Sequence, residues 1–218
     1  MRSLRALERY ARRPKRARAS EGARCELCGA PAGAEHAHVV DLEQRQLCCV
    51  CRPCALLFER PGVATGRYRT VPGRVLVDPA FTLREAEWAA LEVPVHLAFV
   101  FFNSSLGRWL AVYPSPAGAT ESELDEAAWD EVMRGLPLAK RVEPDVEALL
   151  VYGRRGRPGL EVFLAPIDAC YDLVGRVRRH WRGFDGGDEA RAEIDAFFEE
   201  LRRRSRPLTT ERAARGEP

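Results

Sequence analysis

The chain has 218 residues, 46% of them hydrophobic and 30% charged, with a formal net charge of +2. That balance excludes a disordered or fibrous protein, and no apolar run approaches the roughly 20 residues of a membrane-spanning helix. The charge is uneven: through Arg24, nine Arg or Lys residues face two Glu, so the N-terminus is strongly basic and the remainder mildly acidic.

Residues 1–23 read as a basic leader, either a short helix with Leu4, Leu7 and Tyr10 on one side or a disordered segment. Lys15 and Lys140 are the only lysines, and an arginine bias of this kind is explained more simply by a GC-rich genome than by phosphate chemistry. The leader has no uninterrupted apolar stretch of signal-peptide length, although an organellar presequence would be similarly Arg-rich. The expected compartment is the cytoplasm, where thiols stay reduced.

Residues 24–60 hold six of the seven cysteines. Residues 67–202 read as the main folded domain. In it, "RVLVD" is a short strand and "TLREAEWAAL" a helix capped by Thr82, with Leu83, Glu87 and Leu91 spaced by four. "VHLAFVFFNS" and "RWLAVYPS" form a β-hairpin about the turn "SLG". A loop, "YPSPAGATE" (residues 113–121), leads into the helix "TESELDEAAWDEVMRGL", for which Thr120 and Glu123 predict a capping box. "EALLVYGR" and "LEVFLAPI" flank "RRGRPG" as a second hairpin. "DACYDLVGRVRRHWRGF" is a helix with Cys170, Leu173, Val174 and Val177 on one face. After Gly186 and Gly187, "DEARAEIDAFFEELRRR" is another, with Ile194, Phe197, Phe198 and Leu201 as its stripe. Residues 203–218 read as a mobile polar tail. The expected class is α+β: a small N-terminal zinc-ribbon-like module, then an antiparallel-sheet domain with C-terminal helices.

The chemistry concentrates in "RCELCG" and "LCCVCRPCALLF". Cys25 and Cys28 form one C-x2-C turn and Cys51 and Cys54 a second, with 22 residues between Cys28 and Cys51. Such a turn points backbone amides at two thiolates and holds both sulfurs about one ion. Two of them joined by a strand pair is the layout of a zinc ribbon. The expected ligands are therefore Cys25, Cys28, Cys51 and Cys54, and the expected ion is zinc. A rubredoxin-like iron or an iron–sulfur cluster is the alternative. Gly29 suits the positive φ that follows a knuckle, and Pro53 favours a turn at the second. Cys48 and Cys49 are also close enough in sequence to ligate, but on a strand they face opposite sides, and one of them then packs in the small core. His36 and His38 are surface or hairpin residues by default, and either could replace a sulfur. A disulfide framework does not suit a cytoplasmic chain with an odd cysteine count.

Other features have plainer readings. "EHAHVVDL" is superficially similar to an HNH nuclease, yet no His or Asn follows in the segment after Cys54. Cys170 reads as core, His180 and Trp181 as a helix end with stabilising positive charge, and Asp125, Glu126, Asp130 and Glu131 as a solvated helix face. "GFDGG" lacks the lysine and the preceding strand of a phosphate loop. No Ser-His-Asp, Cys-His or paired-carboxylate constellation is legible, so the residues do not argue for an enzyme.

In combination, "CELCG", "LCCVCRPCALLF", "VYPSPAGATES", "PDVEALLV" and "PIDACYDLVGRVRRHWRGFDGG" resemble an actinobacteria-rich domain-of-unknown-function family encoded near nickel–iron hydrogenase genes. The resemblance runs from about Cys25 to Leu201 and brings no catalytic residue with it. It implies a cytoplasmic accessory or adaptor protein acting through protein contacts, its partner a hydrogenase subunit or maturation factor. The alternative is a nucleic-acid-binding zinc-ribbon protein whose basic leader neutralises phosphates, and a further one is an iron or iron–sulfur electron carrier.

Overall fold

A small sheet built by the cysteine region packs against one face of a larger one. The computed structural model describes residues 23–60, 66–154, 156–183 and 186–208. The basic leader through residue 22 and residues 209–218 of the expected tail lie outside the described residues.

The small sheet has the order β2-β1-β3. β1 (Ala37–Asp41) pairs antiparallel with β2 (Gln46–Val50), and β3 (Tyr68–Thr70) joins on the other side of β1, from beyond the cysteine-rich stretch. Asp41 fixes the turn between β1 and β2. One carboxylate oxygen accepts from the backbone N–H groups of Glu43 and Gln44, and the other accepts from Arg67. The Arg67 guanidinium, with the two turn amides, outweighs burial and holds the Asp41 carboxyl below its ordinary value. A short helix, α1 (Arg52–Leu57), follows β2 with Pro53 in its first turn, where a missing N–H costs nothing.

The strand alternation of β1 and β2 gives the small sheet two dissimilar faces. Val39, Cys48 and Val50 join Cys25, Cys51 and Ala55 in a core of six buried residues. Val40 turns the other way and is buried in the core of the main domain, with Leu47 packed against it. One face therefore covers the cysteines and the other docks the module.

The large sheet has the order β10-β4-β9-β8-β5-β6-β7. Its strands are β4 (Leu76–Val77), β5 (Leu97–Asn103), β6 (Arg108–Ser115), β7 (Gly118–Ser122), β8 (Glu147–Tyr152), β9 (Glu161–Pro166) and β10 (Arg206–Pro207). Every pairing is antiparallel except that of β10 with β4. Both expected hairpins form, β5 with β6 and β8 with β9. α4 (Ile167–His180) and α5 (Gly187–Arg204) cover one face, and α2 (Glu85–Ala89), α3 (Glu126–Gly135) and a 3-10 turn at Pro137–Arg141 cover the other. This double cover explains why β8 reads as a continuous apolar run: all six of its residues are buried.

The two C-terminal helices form where expected, although α4 ends at His180. Ile167, Cys170, Leu173, Val174 and Val177 are the buried face of α4. α5 begins after Gly186, whose φ of +88° is a conformation that glycine adopts without strain. Acidic residues fill its first turn and Arg202, Arg203 and Arg204 its last, which complements the helix dipole. Phe198 stacks on Tyr152 at a centroid distance of 4.0 Å, and Arg202 clamps both oxygens of Glu161.

Three local expectations are corrected. Thr82 does not cap α2; the helix starts at Glu85 with Arg84 in the cap position, because Leu83 is held in an antiparallel bridge to Leu160. Thr120 does not cap α3, since it lies in β7 paired with Tyr113. The cap is Asp125, whose carboxylate accepts from the Ala128 N–H at 2.7 Å. Residues 113–121 are not a loop: Tyr113–Ser115 end β6, and Gly118–Glu121 run back beside them in β7. Of the expected tail, Arg203 and Arg204 close α5 and Arg206–Pro207 form β10.

Candidate metal centre

The first knuckle is a tight backbone turn. Gly29 N–H donates to the Cys25 carbonyl at 2.8 Å and Cys25 N–H to the Ala30 carbonyl at 2.8 Å, with Gly29 at φ +73°. Glu26 fastens this turn to β2 twice: its N–H donates to the Cys49 carbonyl at 2.9 Å, and its carboxylate accepts from the Cys49 N–H at 2.6 Å. The second knuckle is the entry to α1. Cys51 sits at the N-cap in an extended conformation, and the Ala55 N–H returns to its carbonyl at 3.1 Å.

These turns bring Cys25, Cys28, Cys51 and Cys54 together, with all four Sγ atoms within 4.8 Å of one another. Cys28 Sγ lies 3.6 Å from Cys51 Sγ. A tetrahedral ion with metal–sulfur bonds of about 2.3 Å requires edges of about 3.8 Å, so the separation fits. Cys25 and Cys51 are buried, Cys54 is half-buried and Cys28 is exposed, which sets the centre at the module surface.

The electrostatics suit capture of a cation. Burial pushes the Cys25 thiol up, but the backbone amides of Cys51, Cys28 and Leu27 outweigh it and bring it down to about 6. Burial and the neighbouring sulfurs push Cys54 up to about 12. Four adjacent thiolates repel one another, so without a cation the cluster keeps protons; a divalent ion displaces them.

The remaining cysteines divide as strand alternation dictates. Cys48 is buried beside Val39 and Val50, and burial, followed by the charges of Glu26 and Asp41, raises its thiol. Cys49 faces the opposite side and belongs to a different group, with His36 and His38. Cys170 is fully buried in the main core and far from ionisation. The side chain that sequence reasoning missed is Asp168, at the start of α4, which bonds His38 from 130 positions away. No local signal could connect them.

Among the described residues, no helix is long and apolar enough to cross a membrane. No curated protein matches the chain, and no solved structure does. The family model of DUF5947, a family of unknown function, matches residues 24–205. That stretch contains both knuckles, the small sheet, the large sheet apart from β10, and the five helices of the described residues, and the chain is a member of this family.

Proposed function

We propose that the protein is a non-catalytic accessory or adaptor of the cytoplasm, in which zinc held by Cys25, Cys28, Cys51 and Cys54 organises a ribbon-like module that presents a surface to a protein partner. The observation that carries this reading is the closed donor set: four protein sulfurs fill a tetrahedral ion and leave no position for substrate, the pattern of a structural site. Beside it, α1 exposes Leu56 and Leu57 at 49% and 59%, an apolar pair on a rigid element fixed by the metal knuckle. Apolar groups left in water next to a rigid centre favour a protein contact over phosphate neutralisation. The resemblance to proteins encoded near nickel–iron hydrogenases supplies the candidate partner, a hydrogenase subunit or maturation factor.

The test is a tagged pull-down from the host that encodes the protein, with nuclease treatment and a salt series. A hydrogenase component is expected to be enriched and to survive moderate salt. The Leu56→Asp/Leu57→Asp variant is expected to lose it while keeping its metal. Recovery of nucleic acid alone, falling steeply with salt, overturns the reading in favour of a nucleic-acid-binding protein.

A further inference from the structure

We propose that His36, His38 and Cys49 form a second metal site, for a zinc-class divalent ion, with one coordination position left open. In the small sheet His38 lies directly opposite Cys49, so both side chains share the face turned away from the four-cysteine centre. His36, two positions before His38, brings its ring to a centroid distance of 4.8 Å from the His38 ring. A ring nitrogen from each histidine and the Cys49 sulfur all lie within 4.8 Å of one another. Bonds of about 2.0–2.3 Å need ligand atoms about 3.5 Å apart, so an ion draws them in by at most about 1.3 Å.

The tautomers are set by acceptors that cannot donate. His38 Nδ1 lies 2.9 Å from Asp168 Oδ2, and His36 Nδ1 lies 3.2 Å from the Gly33 carbonyl oxygen. Each Nδ1–H therefore donates, and each neutral ring keeps the lone pair of Nε2 for another partner. Among the described residues, His36 Nε2 is buried and meets no donor, an orphaned acceptor of the kind that a metal satisfies. A carboxylate on the far nitrogen of a ligating histidine orients the ring and raises its basicity, as Asp168 does for His38. Two imidazoles and one thiolate form a borderline donor set suited to zinc.

Three protein donors leave one tetrahedral position free, in contrast to the closed set of four sulfurs. Both histidines line a groove of about 740 Å³ between the module and helices α4 and α5, which gives an ion a path in. Because His38 and Cys49 belong to the small sheet and Asp168 to α4, an ion here also ties the module to the main domain.

The experiment measures zinc per chain on the full-length protein after equilibrium dialysis, and repeats the titration with cobalt as a spectroscopic probe. Both His36→Ala and Cys49→Ser are expected to bind one equivalent fewer than the unaltered protein and to retain the thiolate–cobalt absorption of the four-cysteine centre. Asp168→Asn is expected to weaken the second equivalent about 10–100-fold without abolishing it. If His36→Ala and Cys49→Ser both bind as much zinc as the unaltered protein, the second site is wrong. That result leaves the four-cysteine centre untouched, since its loss is read separately from Cys25→Ser.

Discussion

Replacing Cys25 or Cys51 with serine is expected to release the ion of the four-cysteine centre and to unfold the cysteine module while the large sheet stays folded. The module's own core is six buried residues, and Cys25 and Cys51 are two of them. So small a core does not offset the chain entropy of ordering some forty residues. Structural zinc supplies an apparent binding free energy of about 10–16 kcal/mol, far more than those few side chains contribute. The large sheet has an extensive core on each face, built mostly by its own strands and helices with Val40 as the module's contribution, and is expected to stay folded without the ion. Elemental analysis should therefore show the loss of one equivalent, and limited proteolysis should cut within residues 24–60 first. Cys170→Ala is the control. That thiol lies wholly inside the main core, so the variant should lose some stability and no metal.

Arg74→Ala is expected to destabilise the main domain by about 3 kcal/mol, the low end of the cost of breaking a buried ion pair. Glu147 is fully buried in β8, and Arg74 grips both of its oxygens, Nε to Oε1 at 2.6 Å and Nη2 to Oε2 at 2.8 Å. The Glu143 N–H adds a third donor at 3.0 Å. Removing the guanidinium leaves a carboxylate in the protein interior with one remaining donor, while the 40% exposure of the arginine keeps the loss from the top of the range. The pair also locates the segment after β3 against the start of β8. Urea denaturation is the measurement. Arg74→Leu with Glu147→Leu should recover most of the loss, because an apolar pair carries no desolvation penalty. A double variant no more stable than Arg74→Ala would contradict this account of the site.

Residues that decide their own local structure were legible in the sequence. The C-x2-C spacing, Gly29 after the first knuckle and Pro53 in the second fix turns of a few residues, and the four sulfurs meet as that spacing requires. The apolar stripes of α4 and α5 and the hairpin of β5 with β6 are similarly local. What was not legible depends on competition with distant chain. Thr120 and Asp125 are both good caps by type. Asp125 takes the role because pairing with β6 holds residues 118–122 as a strand. The composition of "YPSPAGATE" suggests a loop, yet an edge strand needs only backbone groups to pair; Gly118 opens that strand and Pro114 sits near the end of β6, where both are tolerated. That α2 and α3 pack on the second face of the sheet, and that His38 meets Asp168, are tertiary facts that no local pattern announces.

In the proposed function, the four cysteines close around one zinc ion. Zinc-edge X-ray absorption on the full-length His36→Ala/Cys49→Ser protein tests it most directly, since the second group is then disabled. One zinc per chain with four sulfurs at about 2.3 Å is the expected result. A protein that retains no metal, that holds stoichiometric iron, or whose zinc shell contains nitrogen or oxygen would contradict it.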